Sequence, residues 1–117
     1  MTKAQPSAFV THIHEELADI GPVDIGRFFG GWAYLVADRQ FAISIKDRLY
    51  FRVDQPLRDA LLSEGCQPFT YNKGGKPVVV HRYYEAPVTC LDDTQALLHW
   101  SARAIAAEDE APRRVRR

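Results

Sequence analysis

One pattern repeats three times between residues 32 and 54. In "WAYLVA", Trp32, Tyr34 and Val36 alternate with Ala33, Leu35 and Ala37. In "FAISIK", Phe41, Ile43 and Ile45 alternate with Ala42, Ser44 and Lys46; in "LYFRVD", Leu49, Phe51 and Val53 alternate with Tyr50, Arg52 and Asp54. Successive side chains of an extended chain point to opposite faces, so a period of two marks a strand with one buried face. The linkers Asp38-Arg39-Gln40 and Asp47-Arg48 are short enough only for hairpins. Three strands in an antiparallel meander follow.

The flanking segments have a different period. Phe9, Ile13, Leu17 and Ile20 recur at helical spacing, with Pro6 and Ser7 at the start and Gly21-Pro22 at the end. "DQPLRDALLSEGC" reads as a second helix: Asp54 caps it, Pro56 suits the first turn, Gly65 stops it, and Leu57, Ala60 and Leu61 form its apolar stripe. "FTYN" and "PVVVHRYY" flank Lys73-Gly74-Gly75-Lys76, a strand-turn-strand signal. A last helix opens at Asp92-Asp93 and carries Leu97, Leu98, Ser101, Ala104 and Ile105, with Trp100 beside them. The expected order is α-β-β-β-α-β-β-α, a two-layer α+β sandwich with a five-stranded, largely antiparallel sheet covered by helices on one face.

A length of 117 residues holds one domain, placed at 1–108, and the remaining 109–117 are expected to be a disordered, arginine-rich tail. Fifteen basic and fifteen acidic side chains cancel, so no whole-molecule field draws in nucleic acid or anionic lipid. The first residues lack a signal-peptide core, and no apolar run approaches the length of a membrane helix, so a cytoplasmic protein is expected. Cys66 and Cys90 then read as reduced, part-buried thiols.

Four short stretches occur in order: "RFFGG" at 27–31, "LYFRVD" at 49–54, "PFTY" at 68–71 and "YYEAP" at 83–87, followed by an aspartate-started helix with Trp100. Phe29, Gly30, Gly31, Tyr84 and Pro87 are their signature positions. The series resembles the N-terminal domain of the TfoX family, also called Sxy, over about residues 7 to 107. The resemblance implies an α-β3-α-β2-α sandwich. It also implies a regulatory setting, since full-length members promote natural competence with the cyclic-AMP receptor protein at certain promoters. They carry a second, helical C-terminal domain, so this chain is expected to be a single-domain member.

No catalytic constellation stands out. His12 and His14 are two apart on a helix and point to different sides, so they do not grip one metal. "NKGGK" lies between strands and reads as a hairpin turn, not a phosphate loop. Ser7, Ser44, Ser63 and Ser101 have no nucleophile elbow around them, and Asp92-Asp93 reads as a helix cap. No metal or cofactor is expected. An enzyme would need a pocket uniting His81, Tyr83 and Glu85.

The tyrosines carry more. Tyr34, Tyr50, Tyr71, Tyr83 and Tyr84 fall on strands with Arg52 and Arg82 interleaved. Tyrosine and arginine are enriched in protein interfaces, so Tyr34, Tyr50, Arg52 and Tyr83 are the expected partner surface. The expected function is a non-enzymatic regulatory or adaptor domain that binds another protein, with a homodimer as companion expectation. The alternative is nucleic-acid binding, with bases stacking on the Tyr/Arg face and phosphate contacts from Lys73, Lys76, Arg113, Arg114, Arg116 and Arg117.

Overall fold

The computed structural model describes residues 5–107. Its elements are α1 (Ala8–Glu16), a 3-10 turn (Leu17–Ile20), β1 (Asp24–Phe28), β2 (Gly31–Val36), β3 (Arg39–Ile45), β4 (Arg48–Arg52), α2 (Gln55–Ser63), β5 (Pro68–Lys73), β6 (Lys76–Glu85), a second 3-10 turn (Val88–Leu91) and α3 (Thr94–Ala106). The fold is α+β with three helices on a six-stranded, wholly antiparallel sheet of order β1-β2-β3-β4-β6-β5. The expected count of five strands is corrected by β1, so the order becomes α-β-β-β-β-α-β-β-α. Within "DIGRF" of β1, a glycine breaks the alternation and Asp24 and Arg27 are exposed, as befits an edge strand. The missed signal was the turn after it.

That turn is "FFGG". Phe28 pairs with Gly31, leaving Phe29 and Gly30 as a two-residue loop with φ of 49° and 81°. Positive φ at both central positions is the signature of the primed hairpin turn whose twist matches that of the strands. Ala37-Asp38, Lys46-Asp47 and Gly74-Gly75 repeat it. At Ala37-Asp38 and Lys46-Asp47 no glycine is present, and side chains occupy a left-handed conformation that costs about 1 kcal/mol or more per residue.

Helix termini follow the sequence closely. Ser7 Oγ accepts from the Val10 amide at 3.2 Å, Asp54 Oδ1 from Leu57 at 3.0 Å, and Asp93 Oδ1 from Gln95 at 2.9 Å. Each bond satisfies an amide that the first helical turn leaves without a partner. His14 Nε2 donates to the Val23 carbonyl at 2.6 Å and ties α1 to the entry of β1.

The helices cover one sheet face. Val10, Ile13 and Leu17 from the first helical segment, Leu57 and Leu61 from α2, and Leu97 and Ala104 from α3 pack on Tyr34, Phe41, Leu49, Phe51 and Tyr84. Between β2 and β3 the register shifts after Tyr34, so Phe41 and Ala42 both join this core and strict alternation fails. Tyr34 has no exposed surface, and its hydroxyl shares a 2.7 Å hydrogen bond with Ser44 Oγ inside the core. Tyr34→Phe or Ser44→Ala alone should each cost about 1–2 kcal/mol, because each leaves a buried hydroxyl unpaired. The double variant should cost less than the sum of the two, as equilibrium urea unfolding of all four proteins would measure. Strict additivity would show that the bond carries no coupling.

Candidate interaction face

The opposite sheet face holds a second cluster to which no helix residue contributes among the described residues. Ala33, Ile43, Tyr50 and Phe69 form its centre, with Phe28, Leu35, Ile45, Tyr71, Val80 and Tyr83 around them. The sheet coils strongly about this face. Phe28 on β1 and Tyr83 on β6 have ring centroids 6.3 Å apart, although β2, β3 and β4 lie between their strands. In a flat sheet those strands would be roughly 19 Å apart.

Phe29 stands over this concave face from the β1–β2 turn. It is 58% exposed, yet its ring meets Tyr71 at 5.1 Å and Phe69 at 6.5 Å, both edge-on. On one side of it, a groove of about 620 Å³ runs past Tyr50 and Tyr71, with Lys46 and Arg48 also in its lining. On the other side lies a smaller apolar depression of about 200 Å³, lined by Phe28, Ile43, Val80 and Tyr83. A phenylalanine at φ 49° is costly for a bulky side chain. The primed hairpin turn imposes it, as it does at Ala37-Asp38 and Lys46-Asp47.

The residues singled out in the sequence part company here. Tyr50 and Tyr83 share the concave face with Tyr71, and Tyr50 is buried, with the Phe69 ring 4.9 Å away. Arg52 pairs with Tyr83 across β4 and β6 and points to a separate depression beside it. Tyr34 is a correction: it belongs to the helix-side core and presents nothing to a partner. Tyr84 is likewise buried on the helix side. Lys73 and Lys76 are an exposed pair flanking the Gly74-Gly75 turn. Arg113, Arg114, Arg116 and Arg117 lie outside the described residues, as does the whole 109–117 segment.

Sequence reasoning missed Phe28, Phe29 and Phe69 as members of this face. The available signal was the register of "FFGG": a two-residue turn at Phe29-Gly30 forces Phe28 back over β2.

The serines and cysteines have structural posts. Ser7 caps α1, and its hydroxyl donates to Asp47 Oδ1 at 2.8 Å. Ser44 is held by Tyr34. Cys66 and Cys90 are both free and buried. Burial, with Glu85 and Glu64 nearby, pushes the Cys66 thiol up to about 11, and burial, with Cys66 and Asp93 nearby, pushes Cys90 up to about 12. Thiols so placed are protonated and inert at neutral pH. A depression of about 430 Å³ beside Cys66 is lined by Glu64, Glu85, Pro87 and Val88, so Pro87 borders the thiol side of the molecule. Glu85 accepts from the Gln67 amide and from Arg48, and it lines a different depression from Tyr83. Among the described residues no group of three His, Cys, Asp or Glu side chains is placed to hold a metal ion, and no helix is long and apolar enough to cross a membrane.

No curated protein matches the chain. The TfoX N-terminal domain profile matches residues 15–108, which take in every strand, α2, α3 and the helix-free face. The chain belongs to the TfoX N-terminal domain family.

Proposed function

We propose that the domain is a non-enzymatic regulatory adaptor of the competence-regulator type, acting in the cytoplasm, and that it binds a partner protein on the concave aromatic face. The observation that carries this reading is Phe29, exposed and left-handed above two apolar depressions. The partner's chemistry follows from the lining: apolar side chains for the two depressions, with acidic residues beside them to meet Lys46 and Arg48.

Ring geometry weighs against base stacking here. Phe29, Phe69, Tyr50 and Tyr71 are packed against one another, and Tyr50 and Phe69 are buried. Single-stranded nucleic acid needs open ring faces on which successive bases stack. A gel shift retained at low salt and lost on removing the charges of Lys73 and Lys76 would favour the nucleic-acid reading instead.

The homodimer proposal uses the two edge strands, β1 and β5. A strictly monomeric mass by light scattering at tens of micromolar would refute it.

Phe29→Asn tests the face. Asparagine tolerates the left-handed turn, gaining about 0.5–1 kcal/mol, while loss of a half-exposed ring's contacts offsets a similar amount. Melting should therefore move little. A photo-crosslinking residue at Tyr71 should capture a defined partner in source cells, and Phe29→Asn should reduce that capture at least tenfold. The same residue at Leu62, exposed on α2, should not capture it. Identical capture from both positions would overturn the assignment of the face.

A further inference from the structure

Three arginines converge where α3 ends. Arg39 and Arg52 each donate from Nη2 to the Ala107 carbonyl, at 3.3 and 3.4 Å. Sharing one acceptor places these two like charges side by side. Arg82 joins them from β6, and the three, with Gln40 and Tyr83, line a depression of about 270 Å³. Gln40 Nε2 donates to Tyr83 Oη at 2.6 Å, which fixes the neutral wall.

Like charges gathered at one place oppose one another, and a negative group drawn between them relieves that opposition. Guanidinium donors form planar forks that match the paired oxygens of carboxylate and phosphate groups.

We propose that the Arg39–Arg52–Arg82 depression is an oxyanion-binding site that takes a carboxylate or phosphate group. Two sources share that chemistry. One is the chain itself, because the sequence runs on from Ala107 as Glu108-Asp109-Glu110. The other is an anionic small molecule. The site touches the aromatic face at Tyr83 but works by charge, so it stands independently of the adaptor function.

Calorimetric titration with inorganic pyrophosphate at low salt separates the sources. The proteins are the full chain and the full chain carrying Glu108→Gln, Asp109→Asn and Glu110→Gln. Binding by the unmodified chain identifies a site open to external anions. Binding only by the neutralised chain identifies the chain's own acidic run as the resident ligand. In whichever chain binds, Arg82→Gln and Arg39→Gln should each weaken affinity at least tenfold while the melting transition stays cooperative. Binding by neither chain, or affinity unchanged in both arginine variants, overturns the proposal.

Discussion

Gly31→Ala is expected to destabilise the domain by about 3 kcal/mol and to lower its melting temperature by roughly 10 °C. A Cβ at Gly31 would lie 2.2 Å from the Ser44 carbonyl oxygen and 2.8 Å from Ile45 Cγ1. The first of these is backbone in the neighbouring strand, so relief requires moving β3 itself. Gly30 makes the contrast. A Cβ there meets nothing within 4 Å, but its φ of 81° strains any side chain, so Gly30→Ala should cost only about 1 kcal/mol. Adjacent glycines thus serve different ends, one the turn and the other the close approach of two strands. Thermal denaturation of both variants checks this, and a Gly31→Ala protein no less stable than Gly30→Ala would refute the clash.

Alkaline pH should destabilise the fold from about pH 9 upward. Cys66 rises from an ordinary 9.0 to about 11, Cys90 to about 12, and Tyr34 from 10.0 to about 12, each chiefly because burial disfavours the charged form. Folded values above unfolded ones mean that the folded chain holds protons that the unfolded chain releases. Stability is therefore unaffected below pH 9, falls from about pH 9, and levels off above about 12. At pH 10.5 Cys90 should remove about 2 kcal/mol, Cys66 less because solvent screens it more, and Tyr34 about 0.8 kcal/mol. Urea unfolding at pH 8 and 10.5 measures the loss. Cys90→Ala should flatten part of the slope whatever its stability at pH 8. A stability unchanged between the two pH values would show that these groups ionise freely in the folded protein.

The helix-side layer was legible because its signals are local. Ser7, Asp54 and Asp93 cap helices where the sequence places start signals, and the apolar stripes of the three helices meet the sheet as their spacing requires. The family was legible from "RFFGG", "LYFRVD", "PFTY" and "YYEAP", and the match over residues 15–108 agrees. β1 was not legible, because an edge strand with polar residues and a glycine shows weak alternation, and its pairing comes from the turn that follows.

Alternation in the sequence by itself determined that this chain builds an antiparallel sheet with helices on one side. It could not say which set of alternating residues the helices would take. Tyr34 and Tyr50 look alike in the sequence, yet one lies beneath the helices and the other on the concave face. Only the tertiary structure decided that, through the register shift after Tyr34 and the coiling that brings Phe28 to Tyr83. Register and coiling are sums over many strand pairs, so no short stretch encodes them. The same coiling carries Phe29, fixed locally by its turn, across to Phe69 and Tyr71.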